Sequence, residues 1–194
     1  DRLIYRVGAQ VCIHDVENGE KYFLKQRPQS CTSIIHVATD TKFNFVSVCE
    51  AIGSPEDDEN SATQLSVYSL KGGNECVATL IYPTKSRFIG SVFANGYSSR
   101  HVVALCSGPQ HEIVVWNWET KKIVKTVPIP DDSTRIRCAP SNHLMLTTSG
   151  KHGLKVYYGS GDNTSNINLL SAASSPNERI EDHCWLPSGN GIHK

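Results

Sequence analysis

The sequence predicts an all-β chain assembled from a repeated four-stranded sheet, and three observations carry that expectation. The stretch Glu112 to Trp118 sets four apolar residues in a row, with a second tryptophan two positions on, which is the pattern of a strand buried on both faces. Polar residues around Asn117, Glu119, Thr120, Lys121 and Lys122 then break it before Ile123-Val124 resumes, as in a chain reversal into an antiparallel neighbour. This strand-turn-strand unit recurs along the chain, and no stretch carries a convincing helical pattern.

In chain order, the first unit runs Val11-Cys12-Ile13-His14-Asp15, a turn at Glu17-Asn18-Gly19-Glu20, and Tyr22-Phe23-Leu24. The second is Leu65 to Leu70, Lys71-Gly72-Gly73-Asn74, and Cys76 to Leu80. Glu112 to Val124 is the third, and Leu154 to Tyr158 with Ile167 to Leu170 is the fourth. Ile13, Val67, Val115 and Val156 mark equivalent positions. Their spacing shortens along the chain to within the roughly 40 to 45 residues of a four-stranded propeller blade, and the two longer intervals are read as carrying an inserted loop. Each interval supplies two more strands: Ser33 to Val37 with Phe43 to Cys49, Phe88 to Phe93 with His101 to Cys106, and Arg135 to Cys138 with Leu144 to Thr148. The expected organisation is a β-propeller segment of about four blades: 1–27, 33–82, 87–128 and 134–170, with a further blade starting at 179–194. Leu3 to Val7 and the first unit would be strands two to four of their blade, and Arg179 to Leu186 a first strand, so an open part of a larger propeller is expected.

Lysine plus arginine equals aspartate plus glutamate at 19 each, so no global basic field exists to hold nucleic acid or an anionic membrane. No apolar run approaches the roughly 20 residues of a membrane span, and Asp1-Arg2-Leu3-Ile4-Tyr5 lacks the core of a secretory signal, so a soluble intracellular chain is expected. Seven scattered cysteines without a Cys-x-x-Cys pair read as reduced core residues.

Third-strand ends at His14-Asp15, Tyr68-Ser69, Trp116-Asn117 and Tyr157-Tyr158 resemble degenerate Trp-Asp signatures of WD-repeat propellers, and Ser149 to Gly153 resembles the tight turn before a third strand. The Gly-His dipeptide common in that superfamily is missing, and only His14-Asp15 keeps the acid. More specifically, Val114 to Glu119, Leu146 to Gly150 and Ile180 to Pro187, taken in order, look like the amino-terminal propeller of the cilia- and flagella-associated WD-repeat proteins. That resemblance implies a structural component of the ciliary or flagellar axoneme within the cytoplasm. Its partners would be the doublet microtubule and inner-arm dynein or tether components.

The residues do not assemble an enzyme in sequence. There is no Gly-x-Ser-x-Gly, phosphate loop or His-Glu-x-x-His. Glu181-Asp182-His183-Cys184 gathers acid, imidazole and thiol, but neighbours on a strand point to opposite faces, so the expected reading is a strand and its exit. No cofactor, metal or small-molecule substrate is expected. Trp116 is assigned to the core, and Trp118, at a strand end, is expected to be half exposed. The segment Glu50 to Thr63 reads as a projecting loop whose four consecutive acids Glu56, Asp57, Asp58 and Glu59 either solvate it or dock a basic partner. Together with Trp118 they form the candidate docking site of a non-catalytic scaffold. One rival is a peptide-binding WD-repeat adaptor of the ubiquitin-ligase substrate-receptor kind, which would need a basic or aromatic patch at one rim; the other is an enzyme built on a propeller, which would place several carboxylates or histidines round the central channel.

Overall fold

The computed structural model describes residues 1–25, 31–53, 62–94, 100–129, 133–140, 145–160, 168–174 and 178–186. They form an all-β chain, with no helix among them. Among the described residues, fifteen strands make four separate antiparallel sheets, each a meander of consecutive strands. The first sheet has three strands, β1 (Arg2–Val7), β2 (Gln10–Asp15) and β3 (Lys21–Phe23). The second has four: β4 (Cys31–Thr39), β5 (Phe45–Ile52), β6 (Ala62–Ser69) and β7 (Glu75–Ile81). The third comprises β8 (Arg87–Phe93), β9 (His101–Ser107), β10 (Glu112–Asn117) and β11 (Lys122–Pro128). The fourth comprises β12 (Ser133–Cys138), β13 (Met145–Gly150), β14 (Gly153–Ser160) and β15 (Asn168–Ser174).

The repeat is visible in the pairing irregularities as well as in strand order. In the second, third and fourth sheets the ladder between third and fourth strands shifts register immediately after Val67, Val115 and Val156, the positions that align in sequence. A bulge inserts a residue and sharpens local twist, so the outer strand of each sheet turns away at the same point. First and second strands also slip, at Ile34/His36, Phe88/Gly90 and Ser133/Arg135. Strand β10 is paired on both sides, and Glu112 to Trp116 are buried, as its apolar run requires.

Three apolar clusters each join one sheet to the next. Val11 and Ile13 of β2 meet Ile34, Val46, Val48 and Tyr68 of the second sheet. Cys49, Leu65, Val67 and Leu80 meet Phe88, Val102, Val114, Trp116 and Trp118 of the third. Val103, Leu105, Ile113 and Val115 then meet Ile136, Leu146 and Tyr157 of the fourth. None of these clusters joins the fourth sheet back to the first. The contacts run through first strands: β4 touches β8, and β8 touches β12. Gly90 of β8 lies at this close approach: a β-carbon there would be 3.3 Å from Cγ2 of Ile136, which would have to shift slightly to admit it.

Three expectations are corrected. Arg179 to Leu186 is not a strand: it follows an irregular path across the fourth sheet, with the Ile180 amide donating to the Gly150 carbonyl at 3.0 Å. The segment beginning at Glu50 is not all loop, because β5 runs to Ile52 and β6 begins at Ala62, with Ile52 opposite Ala62. No disulfide joins the cysteines. Cys12, Cys49 and Cys106 are buried and Cys31, Cys76 and Cys138 half-buried, but Cys184 is exposed, against the core position expected of all seven.

Candidate functional site

The acids Glu56, Asp57, Asp58 and Glu59 lie outside the described residues. Their neighbour Glu50 is instead a buried strand residue at the centre of a polar cluster. Its carboxylate accepts from Gln64 Nε2 at 2.6 Å, Ser66 Oγ at 2.7 Å and Tyr68 OH at 3.4 Å. Residues 64, 66 and 68 share one face of β6 by period-two alternation, so they can converge on one carboxylate across the ladder. A buried charge needs such donors to offset its desolvation. Sequence reasoning missed this, although the alternation Gln64-x-Ser66-x-Tyr68 on a strand beside Glu50 was its signal.

Trp118 is 7% exposed, which corrects the half-exposed position expected for it. Its amide donates to the Arg100 carbonyl at 3.0 Å, extending the strand beyond β10, and its ring lies 4.9 Å from that of Phe45. Trp116 is 4% exposed and meets Tyr82 edge-on at 6.4 Å. Both tryptophans therefore join the second sheet to the third, two residues apart on one strand face.

The second polar cluster lies where β4, β5 and β8 meet. The Ser91 amide donates to His36 Nδ1 at 3.3 Å, and Ser47 and Ser91 hydroxyls are 3.0 Å apart. Thr63 Oγ1 accepts the Phe88 amide at 2.7 Å, so the irregular start of β8 is hydrogen-bonded to the neighbouring sheet. Burial, then the guanidiniums of Arg137 and Arg135, pushes the His36 imidazole down to about 4, leaving it a neutral acceptor at neutral pH. Burial raises the Cys49 thiol to about 12, so it is no nucleophile.

His183 and Cys184 separate in space. His183 turns onto β13, with Nε2 2.6 Å from Thr147 Oγ1 and Nδ1 2.9 Å from Ser149 Oγ. Arg137 of β12 clamps the same segment: Nη2 donates to both Asp182 oxygens at 3.0 and 3.2 Å, and Nε donates to the His183 carbonyl at 3.2 Å. Cys184 points to solvent. The Asp182 carboxyl is held below its usual range, first by the His183 amide that it accepts at 2.8 Å and further by Arg137. The His183 imidazole is lowered by burial and then by Arg137, with Asp182 opposing. Among the described residues no group of three His, Cys, Asp or Glu side chains gathers to hold a metal ion. A hollow of about 250 Å³ beside the clamp is lined by Thr134, Gly150, Lys151, Arg179, Ile180 and Glu181. No helix among the described residues is long and apolar enough to cross a membrane.

No protein-family model matches the chain, and no curated protein matches it in sequence.

Proposed function

We propose that this chain is part of a WD-repeat-like β-propeller that acts as a non-catalytic protein-interaction scaffold in the ciliary or flagellar axoneme, linking dynein-arm or tether complexes to the doublet microtubule. The observation that carries the propeller reading is the serial stacking of meander sheets face to face through their first strands, with bulges repeating at Val67, Val115 and Val156. Such a stack holds its hairpin loops at two rims on a rigid frame, which suits docking of partners more than turnover.

The segment at 178–186 supports the reading of a further blade beginning there. Ser91 of β8 meets the second-strand hydroxyl of Ser47, and His183 meets the second-strand hydroxyl of Thr147. The Phe88 and Ile180 amides, each three residues earlier, bond to the same underlying sheets. Segment 178–186 thus sits on the fourth sheet much as β8 sits on the second.

The axonemal address rests on the likeness of Val114 to Glu119, Leu146 to Gly150 and Ile180 to Pro187 to the cilia- and flagella-associated proteins. Fractionation of ciliated cells tests it: the full-length protein should stay with axonemes after detergent extraction. A diffuse, detergent-soluble cytosolic distribution would sink the address.

A further inference from the structure

Among the described residues, the non-glycine positions with left-handed backbone are Phe43 (φ 52°), Asn74 (φ 59°) and Lys121 (φ 55°). All three lie on one rim of the second and third sheets, in the β4–β5, β6–β7 and β10–β11 turns. Asparagine tolerates this conformation, but phenylalanine and lysine bring a β-carbon against the following carbonyl, so glycine would be the relaxed choice.

The turns are held firmly. Asp40 Oδ1 accepts the amides of Asn44 and Phe45 at 2.7 and 2.8 Å, and the Leu70 amide donates to the Asn44 carbonyl at 2.8 Å. Asn117 Oδ1 accepts the Thr120 amide at 3.1 Å, and the Phe45–Trp118 ring contact beneath makes the two sheets' turns neighbours. What this frame presents is Phe43, 63% exposed, and the exposed lysines Lys42, Lys71, Lys121 and Lys122, none of which forms an ion pair with another described residue. The exposed acids on the same rim of these two sheets are Glu75 and Glu119, and Glu119 is engaged by Arg100 at 3.2 Å.

We propose that this rim binds a short acidic peptide segment of a partner protein, with one apolar side chain packed on Phe43 and carboxylates against Lys42, Lys71, Lys121 and Lys122. The basic area ends at the first sheet, whose rim carries Asp15, Glu17 and Glu20, so it is too narrow for a membrane surface or a duplex. A peptide spanning two turns fits it, and recognition of acidic motifs by clustered cations is an established binding mode. The proposal rests on the scaffold reading only in taking the ligand to be protein.

The test is fluorescence anisotropy of a labelled peptide, eight glutamates around a central leucine, titrated with the 194-residue chain. Saturable binding should weaken about fivefold between roughly 50 and 200 mM salt, because exposed pairs are screened over that range. Lys42→Glu combined with Lys121→Glu should weaken it at least about tenfold, as like charges replace attraction. Phe43→Gly should also weaken binding while its thermal unfolding midpoint does not fall, since the left-handed turn is relieved. Absent saturation, indifference to the lysine reversals, or equal binding to phosphatidylserine vesicles would each overturn the proposal. Failed binding alongside axonemal retention leaves the scaffold standing, whereas peptide binding by a diffusely cytosolic protein removes only the address.

Discussion

The first and fourth sheets bury their inner faces by the same means, yet their outward faces differ in what lies over them. On the first, register places Leu3, Tyr5, Val7, Cys12 and Phe23 together, and Leu3, Val7 and Phe23 remain 56%, 48% and 46% exposed. On the fourth, Arg135, Arg137, Thr147 and Ser149 share the outward face with Met145, Leu154 and Val156, and segment 178–186 lies over the polar ones. Thr147 and Ser149 are 3% and 1% exposed, so the polar part of this face is covered. The contrast teaches that segment 178–186 is held by directional hydrogen bonds to the polar residues of β12 and β13, whereas the first sheet leaves three large apolar side chains half-exposed.

Four substitutions and one change of condition would break or sharpen that contrast. Ile13→Ala removes a buried side chain from the inner face of the first sheet and should cost about 2–5 kcal/mol in urea unfolding. A cost under about 0.5 kcal/mol would mean the first sheet is not part of the cooperative stack. Thr147→Val leaves a His183 nitrogen without its partner and should weaken docking of the segment by about 1–3 kcal/mol. Hydrogen exchange would register this as faster uptake over 178–186, with β1 and β2 unchanged; uniform loss of protection would refute a local clamp.

Acidification should act in the same place. The docked His183 imidazole lies below its ordinary value of 6.5, so protonation favours the released segment. Docking is then complete above about 6.5 and weakens as pH falls below it; Arg137 strengthens this trend and Asp182 opposes it. Exchange over 178–186 that is flat between about pH 7.5 and 5.5, after correction for intrinsic rates, would contradict this. The smallest effect is expected at the open face: Leu3→Thr and Phe23→Thr, at half-exposed positions, should each change stability by no more than about 0.5 kcal/mol.

The strands were legible in the sequence because alternation and turn residues are local signals. The four apolar residues of β10 and the Lys71-Gly72-Gly73-Asn74 turn declare themselves without tertiary context. The position of Trp118 was not legible. A strand-end tryptophan looks half exposed until Phe45, 73 positions earlier in the numbering, is known to pack on it. The path of Arg179 to Leu186 is not the strand that apolar Ile180, Cys184 and Trp185 suggest, because apart from the Ile180 amide its hydrogen bonds to the fourth sheet run to side chains on β12 and β13. His36 and Glu50 were likewise invisible as cluster centres, since their partners come from other strands.

Among the described residues, every paired strand is a neighbour of its partner in sequence. Closing such hairpins sacrifices little chain entropy, so each sheet can form before the residues of the next have been synthesised. A ribosome releasing this chain from its amino end would thus deliver finished sheets one after another, each offering its exposed apolar face as a template for the following one. Assembly order is thereby written into the connectivity, and the intermediates most prone to aggregate are those awaiting their next sheet.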